Sequence, residues 1–430
     1  MVEVSVPSAV PTSIRHGMVV EARDVGGWGT SGVQPLAEVD PIGAMPRPTG
    51  LDELDRVLGG GLVPGSVTLL GGEPGVGKST LLLQALWSVA TSGSTVLLIS
   101  AEESAQQVRL RAERLGSLPA GLLILTGTDL SAATEAIVRL LPALVVVDSI
   151  QTVMDPGTNG VPGSMAQVRA CADLLVGVAK AHDVPVVLVG HVTKDGSLAG
   201  PRVLEHVVDT VLTVEGDRHH ALRMVRAVKH RFGPTGELGL FEMEGTGLVA
   251  VADPYKLLLG DRRTGIPGSA VLPAVEGQRA LLVELQALVT PSGAHPRRSA
   301  QGLDSGRLAL LLAVLERRVR VLEPQTDVFT SVVGGVRVTE PAADLALALA
   351  VASAARDVPL PPDLVIFGEL GLGGEVRQVP HAAQRLGEAA RLGFRRAVVP
   401  ASAPDGPSGL TVHRVRTLAE AVAVAHDVPV

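Results

Sequence analysis

Cysteine is nearly absent: Cys171 is the only one in 430 residues. That excludes an internal disulfide framework and any structural zinc site built on cysteines. Cys171 itself falls in the helical-looking run Ala166–Cys171 and reads as a small core residue. Aromatic residues make up 2% of the chain. Cores must therefore be packed from Leu, Val and Ala, and base stacking on Phe, Tyr or Trp is excluded as a main binding mode. Positive charge is not in excess, with Lys+Arg 37 against Asp+Glu 44 and a net charge of −7. Any nucleic-acid contact must come from local basic loops instead of a basic surface. No apolar run approaches the ~20 residues of a spanning helix. No N-terminal stretch combines a basic start, an apolar segment and a small-residue cleavage site. A soluble, cytoplasmic chain without membrane contact is expected. Lysine is missing after Lys256, so no lysine base can operate in the C-terminal part.

What is present is a chain that is 46% hydrophobic, enough for a sizeable core in two or three domains. Its most informative stretch is Gly72-Glu73-Pro74-Gly75-Val76-Gly77-Lys78-Ser79-Thr80. Ser66–Leu70 before it reads as a buried strand, and Leu81–Leu86 after it opens a helix. A strand, a glycine-rich turn and a helix start together form a phosphate cradle. Gly75 and Gly77 let the backbone wrap closely, so that successive N–H groups point at phosphate oxygens. Lys78 is placed to reach the β- and γ-phosphates of ATP, and the Ser79 hydroxyl to hold Mg²⁺.

Beyond this motif, apolar strands alternate with helices. Strands are expected over Thr95–Ser100, Leu144–Asp148 and Val184–Gly190, with helices over Ala101–Leu115 and Val168–Ala181. Val207–Val214 and Leu222–Val228 read as a strand pair at one sheet edge. Continuous apolar strands interleaved with helices imply a mostly parallel sheet covered on both faces. A second α/β unit follows a boundary near Asp253-Pro254. It has helices over Ser305–Val319, Pro341–Ala355 and Ala382–Leu392, and strands over Val328–Val333, Leu364–Phe367 and Ala397–Val399.

Further chemistry gathers at the ends of the first set of strands. Asp148 closes an apolar strand, where an acid serves the Mg²⁺ shell. Glu102 and Glu103 follow the strand ending at Ser100, where a carboxylate can orient or deprotonate water. His191, after the strand ending at Gly190, is a candidate γ-phosphate sensor. Lys229 and Arg231 share one face of an extended segment, which suits a phosphate.

Taken in order, Gly59-Gly60-Gly61, Asp148-Ser149-Ile150-Gln151-Thr152 and Lys229-x-Arg231-Phe232-Gly233 resemble the bacterial RadA/Sms recombination proteins. The resemblance runs from about Thr49 to the C-terminus. It implies a RecA-like P-loop ATPase domain with a mostly parallel sheet, followed by a Lon-protease-like α/β domain. The implied division is an N-terminal segment at 1–48, the ATPase domain at 49–255, a linker at 256–267 and the Lon-like domain at 268–430. It also implies a homohexameric ring around single-stranded DNA, with ATP between subunits. Glu102 would be the catalytic glutamate, and Lys229 and Arg231 would enter the neighbour's site. The family has Asn where this chain has His230, a change that leaves both cations in place. Segments 162–169, 190–196 and 200–206 match channel-facing loops, which assigns Arg169, Lys194 and Arg202 to DNA. The implied activity is a DNA-dependent ATPase motor for branch migration in recombinational repair. Its partners would be single-stranded DNA, branched recombination intermediates and a RecA-type recombinase. A non-motor regulatory ATPase ring is the alternative.

Two departures from the family pattern stand out. Ala22 and Val25 occupy positions where the family's four-cysteine zinc module has its last pair, and His16 and Asp24 alone make no tetrahedral site; no zinc is expected. In the Lon-like part, Ala342 takes the protease serine position and Ala383 the lysine position, which argues against an ATP-dependent protease. Arg297, Arg298, Arg307, Arg317, Arg318 and Arg320 are candidates for a DNA-facing surface there.

Overall fold

The computed structural model describes residues 36–38, 42–190, 204–216, 221–292 and 295–427. Met1–Val39 and Asp40–Val430 are two separate units; in the first, a 3-10 turn at Leu36–Glu38 is described. The second unit holds two large sheets.

The first sheet contains β1 (Val67–Gly72), β2 (Val96–Ser100), β3 (Leu122–Thr126), β4 (Leu144–Asp148), β5 (Val186–Val189), β6 (Thr210–Glu215), β7 (Leu222–His230), β8 (Leu238–Glu244) and β9 (Gly247–Ala250). Their order is β3-β2-β4-β5-β1-β6-β7-β8-β9. The six strands from β3 to β6 run parallel, and β7, β8 and β9 add antiparallel. Strands such as Val67–Gly72 and Val96–Ser100 are buried along their whole length because helices cover both faces, which is why they read as unbroken apolar runs. The helices are α1 (Asp52–Val57), α2 (Lys78–Thr91), α3 (Ala105–Ala112), α4 (Leu130–Leu140) and α5 (Met165–His182). Separate apolar cores lie on the two faces, one around Leu81, Leu86 and Phe241, the other around Leu69, Ile137 and Leu175. β5 lies between the glycine-loop strand β1 and the acid-bearing strand β4. This is the mostly parallel α/β arrangement expected.

Several local expectations change. The pair β6–β7 is interior, because β8 and β9 continue the sheet beyond it. The helix expected from Ala101 starts only at Ala105, where Ser104 and Gln107 form a reciprocal capping box; Glu102 and Glu103 therefore sit on a loop before the helix. β3 and α4 were not anticipated.

The second sheet contains β10 (Ser269–Glu276), β11 (Arg279–Pro291), β12 (Arg298–Gln301), β13 (Thr326–Val332), β14 (Leu364–Ile366), and, after the small pair β15 (Glu369–Leu370) and β16 (Val376–Arg377), β17 (Arg396–Pro400) and β18 (Thr411–Val415). The order is β12-β13-β11-β10-β14-β17-β18. Its helices are α6 (Pro254–Leu259), α7 (Ser305–Val314), α8 (Ala343–Arg356), α9 (Ala382–Arg391) and α10 (Leu418–Asp427). The alanine-rich helix α8 is buried from Ala343 to Ser353, since small side chains let it lie close to the sheet. The stretch expected as a linker, 256–267, begins inside α6, whose Leu258 and Leu259 are buried. Leu222, Met224, Leu238 and Leu240 of the first sheet join the same apolar core as the second. Polar contacts reinforce the joint: Arg279 donates to the buried Glu53 carboxylate at 2.6 Å, and Arg226 pairs with Glu276. At the contact of the two turns, a Cβ on Gly277 would lie 2.0 Å from the Gly236 carbonyl oxygen.

Candidate functional site

The loop 72–80 joins the end of β1 to the start of α2, and its glycines are required by shape. Gly77 holds φ +112 and a Cβ there would lie 2.7 Å from Met243 Cε; Gly72 would press on the Val214 carbonyl at 2.6 Å. Gly75, at φ +80, faces open space. No side chain caps α2 at Gly77, so the first N–H groups of the helix have no intrahelical partner and remain available to an anion.

Lys78 is buried, and its Nζ donates to the carbonyls of Gly72 at 2.8 Å and Glu73 at 3.0 Å. Burial pushes its ammonium below the ordinary lysine value, while the charges of Asp148 and Glu102 pull it back up. Ser79 hydrogen-bonds the Asp148 carboxylate, and burial raises Asp148 above the usual carboxylate range against that bond. A hydroxyl and a carboxylate side by side at the helix start form the hard oxygen set that Mg²⁺ takes.

β2 and β4 are adjacent and in register, with Ser100 beside Asp148. Their ends therefore bring the two acidic positions of the sequence to one edge. Glu102 accepts from the hydroxyl of Ser149, which is fully buried. Glu103 is instead tied by both Arg111 nitrogens, at 3.1 and 2.6 Å. Glu102 acts through space on both Asp148 and Lys78, whereas Glu103 acts on Asp148 and is bound to Arg111. In the sequence Ser149 stands out only as a member of the motif Asp148–Thr152; its bond to Glu102 joins two loops 47 residues apart.

Lys229 and Arg231 lie elsewhere. Thr210 of β6 is the neighbour both of His230 on β7 and of Thr68 on β1. Lys229 and Arg231, a fork of two cations, thus sit at the opposite end of the strands from the loop that begins at Gly72, about 13 Å away along the strand direction at ~3.3 Å per residue. Lys229 Nζ donates to the carbonyls of Glu205 and Val208, and burial, then the charge of Arg231, lowers its pKa. Arg231 pairs with the buried Asp209 at 2.8 Å and stays half exposed. His230 Nδ1 stands 3.2 Å from the Thr210 hydroxyl.

Arg169, on α5, is exposed and 3.7 Å from Asp173. His191, Lys194 and Arg202 lie outside the described residues, as do His16, Ala22, Asp24 and Val25. Among the described residues no group of His, Cys, Asp and Glu could hold a metal by itself, and no helix is long and apolar enough to cross a membrane.

In the second half, Ala342 is buried and Ala383 is exposed at the start of α9. Beside them Arg385, 1% exposed, grips both oxygens of Glu340. Arg307 pairs with the buried Asp344, and Arg298 with Glu316. Arg297, Arg317, Arg318 and Arg320 are exposed.

Two family models match the chain: an AAA domain over residues 45–197 and the ChlI subunit of Mg-chelatase over residues 334–403. The DNA repair protein RadA of Bacillus subtilis is 48% identical over 400 residues, covering 91% of this chain and 87% of that protein. The DNA repair protein RadA of Mycobacterium tuberculosis is 48% identical over 401 residues, covering 93% and 84%. That of Streptococcus pneumoniae is 47% identical over 389 residues, covering 90% and 92%. Among solved structures, the crystal structure of the RadB recombinase aligns at TM-score 0.38 and 26% identity, over 47% of this chain and 98% of that one.

Proposed function

Since the chain belongs to the RadA family of DNA repair proteins and carries an ATPase domain, we propose that it is a DNA-dependent ATPase working as a homohexameric motor in recombinational repair. The observation that carries this reading is the distance between the fork and the loop of the same chain. Two cations at the far end of the strands cannot serve their own cradle, but they can serve that of an adjoining subunit.

In this reading the loop 72–80 binds the phosphates of ATP through backbone N–H groups. Lys78 leaves its two carbonyls to meet the β- and γ-phosphates. Ser79 and Asp148 would hold Mg²⁺, which supplies charge to the phosphate oxygens when bound. Glu102, oriented through Ser149, accepts a proton from the attacking water. Lys229 and Arg231 of the neighbour stabilise charge on the γ-phosphate, a contribution of ~10³–10⁵ in turnover for an arginine supplied in trans. Arg169, Lys194 and Arg202 contact the phosphate backbone of single-stranded DNA. Such contacts carry no sequence information, so binding is salt-sensitive and sequence-tolerant. Turnover moves these contacts along the strand and drives branch migration, with a RecA-type recombinase as the protein partner.

Complementation tests the reading. Arg231→Ala should bind ATP normally yet lose turnover about 10³-fold, and Lys78→Ala should lose it completely. Mixed together, the two variants form sites with an intact loop from one and an intact fork from the other, and turnover should return in part. Mixtures as inactive as their components would refute a fork acting in trans. A wild-type ATPase rate unchanged by single-stranded DNA at every salt concentration would replace the motor with a regulatory ring.

A further inference from the structure

The phosphate cradle has a brace that the loop pattern does not contain. Arg223 lies near the start of β7, is 6% exposed, and comes from 147 residues further along the chain than Val76. Its Nε donates to the Val76 carbonyl at 3.0 Å, and Nη1 donates to the Leu222 carbonyl at 2.9 Å. The side chain crosses the end of β6 to get there. A Cβ on Gly216 would stand 2.5 Å from Arg223 Cδ and 3.2 Å from its Nε, so the path is open only because residue 216 has no side chain.

The Val76–Gly77 peptide is trans and planar, so its C=O and N–H point in opposite directions. Holding the Val76 oxygen towards β7 aims the Gly77 N–H away from β7. Gly77 directly precedes α2, and that N–H belongs to the donors that a helix start offers to phosphate. The guanidinium also places a fixed positive charge behind the loop, which favours an anion in front of it.

We propose that Arg223 is a positioning residue for nucleotide phosphate: it fixes the Val76–Gly77 peptide from behind the loop and so sets affinity for the β-phosphate. Lys78 meets the ligand itself, whereas Arg223 acts through a peptide plane. The inference rests on the reading of loop 72–80 as an ATP cradle.

The test uses the full chain with ADP and ATP as probes. Arg223→Met keeps the buried bulk and removes every donor; its Kd for both nucleotides and its KM for ATP should rise about tenfold, the usual weight of a charge-assisted hydrogen bond. kcat at saturating ATP should hold. Arg223→Lys keeps one donor and the charge and should recover most of the affinity. Gly216→Ala leaves the arginine in place but obstructs its path, and should weaken binding like Arg223→Met even if the latter folds poorly. Lys78→Ala is the control on the underlying reading: normal ADP and ATP affinity in that variant would sink the cradle itself. If Lys78→Ala loses binding while folded Arg223→Met and Gly216→Ala bind ADP as the wild type does, the brace is refuted and the cradle stands. A fall in kcat with unchanged Kd would equally overturn it.

Discussion

Lys78 and Arg385 are both buried cations near the start of a helix, but their partners differ in kind. Lys78 is held by two neutral carbonyls, while the carboxylates of Asp148 and Glu102 act on it through space. Arg385 takes both oxygens of Glu340, donates to the carbonyl of Pro273 at 2.6 Å, and lies 5.8 Å over the ring of Phe367. A buried charge satisfied by neutral dipoles keeps its field for an incoming anion, and it is under strain from desolvation until the anion comes. A buried charge closed into a bidentate pair has nothing left to offer a ligand. By this measure the first half keeps a site in readiness, whereas the second spends its buried cation on scaffold.

The largest expected effect separates activity from stability. Lys78→Ala should abolish ATP turnover while changing the free energy of unfolding by less than about 1 kcal/mol, because the lost hydrogen bonds offset relief of burial. Arg385→Ala should do the reverse, costing about 3–5 kcal/mol by stranding the Glu340 carboxylate, while ATP binding by protein that remains folded is kept. Urea unfolding followed beside an ATPase assay checks both; a stability loss in Lys78→Ala as large as in Arg385→Ala would erase the distinction. Next in size, the double change Glu340→Leu with Arg385→Met should recover most of the loss and return within about 1–2 kcal/mol of wild type, as buried pairs replaced by apolar residues often do. Failure to recover would mean the pair does more than fill space.

The smallest effect extends the comparison to the surface. Asp155 is also held by neutral donors, the Thr158 hydroxyl at 2.7 Å and the Gly157 N–H at 2.9 Å. These hold its carboxyl below the ordinary aspartate range. A carboxylate whose pKa is depressed on folding contributes stability that is present above the unfolded value and is lost as pH falls through the folded one. Asp155→Asn should therefore lower the unfolding free energy at neutral pH and flatten its decline as pH falls from the ordinary aspartate range through the depressed folded value, so that variant and wild type converge in acid. Urea midpoints measured at successive pH values read this directly.

The loop 72–80 was legible because a strand, a glycine turn and a helix start are consecutive in the chain, and Asp148 because it ends an unbroken apolar run. Mostly parallel strands were legible for the same reason. The hairpin β10–β11 was not, since Pro273 argues against a strand. The structure accepts it because β14 pairs with β10 only at Val271, so by Pro273 the side facing β14 needs no donor. Short β3 lies at the sheet edge and is only partly buried, which removes the continuous apolar signature that marked its neighbours. Contacts such as Arg223 with Val76, Glu53 with Arg279 and Arg385 with Glu340 join residues 147, 226 and 45 positions apart. No local pattern encodes them.

The near-touching backbones of Gly236 and Gly277 bear on how this molecule can be taken apart. Leu222, Met224, Leu238 and Leu240 lean on apolar surface that belongs to the far side of that junction. A truncation ending near residue 255, the natural place for a geneticist to cut, would leave those four side chains bare and sticky, and the fragment would report on its wound instead of on its catalysis. Dissection of the two halves is better attempted by point substitution within the intact polypeptide.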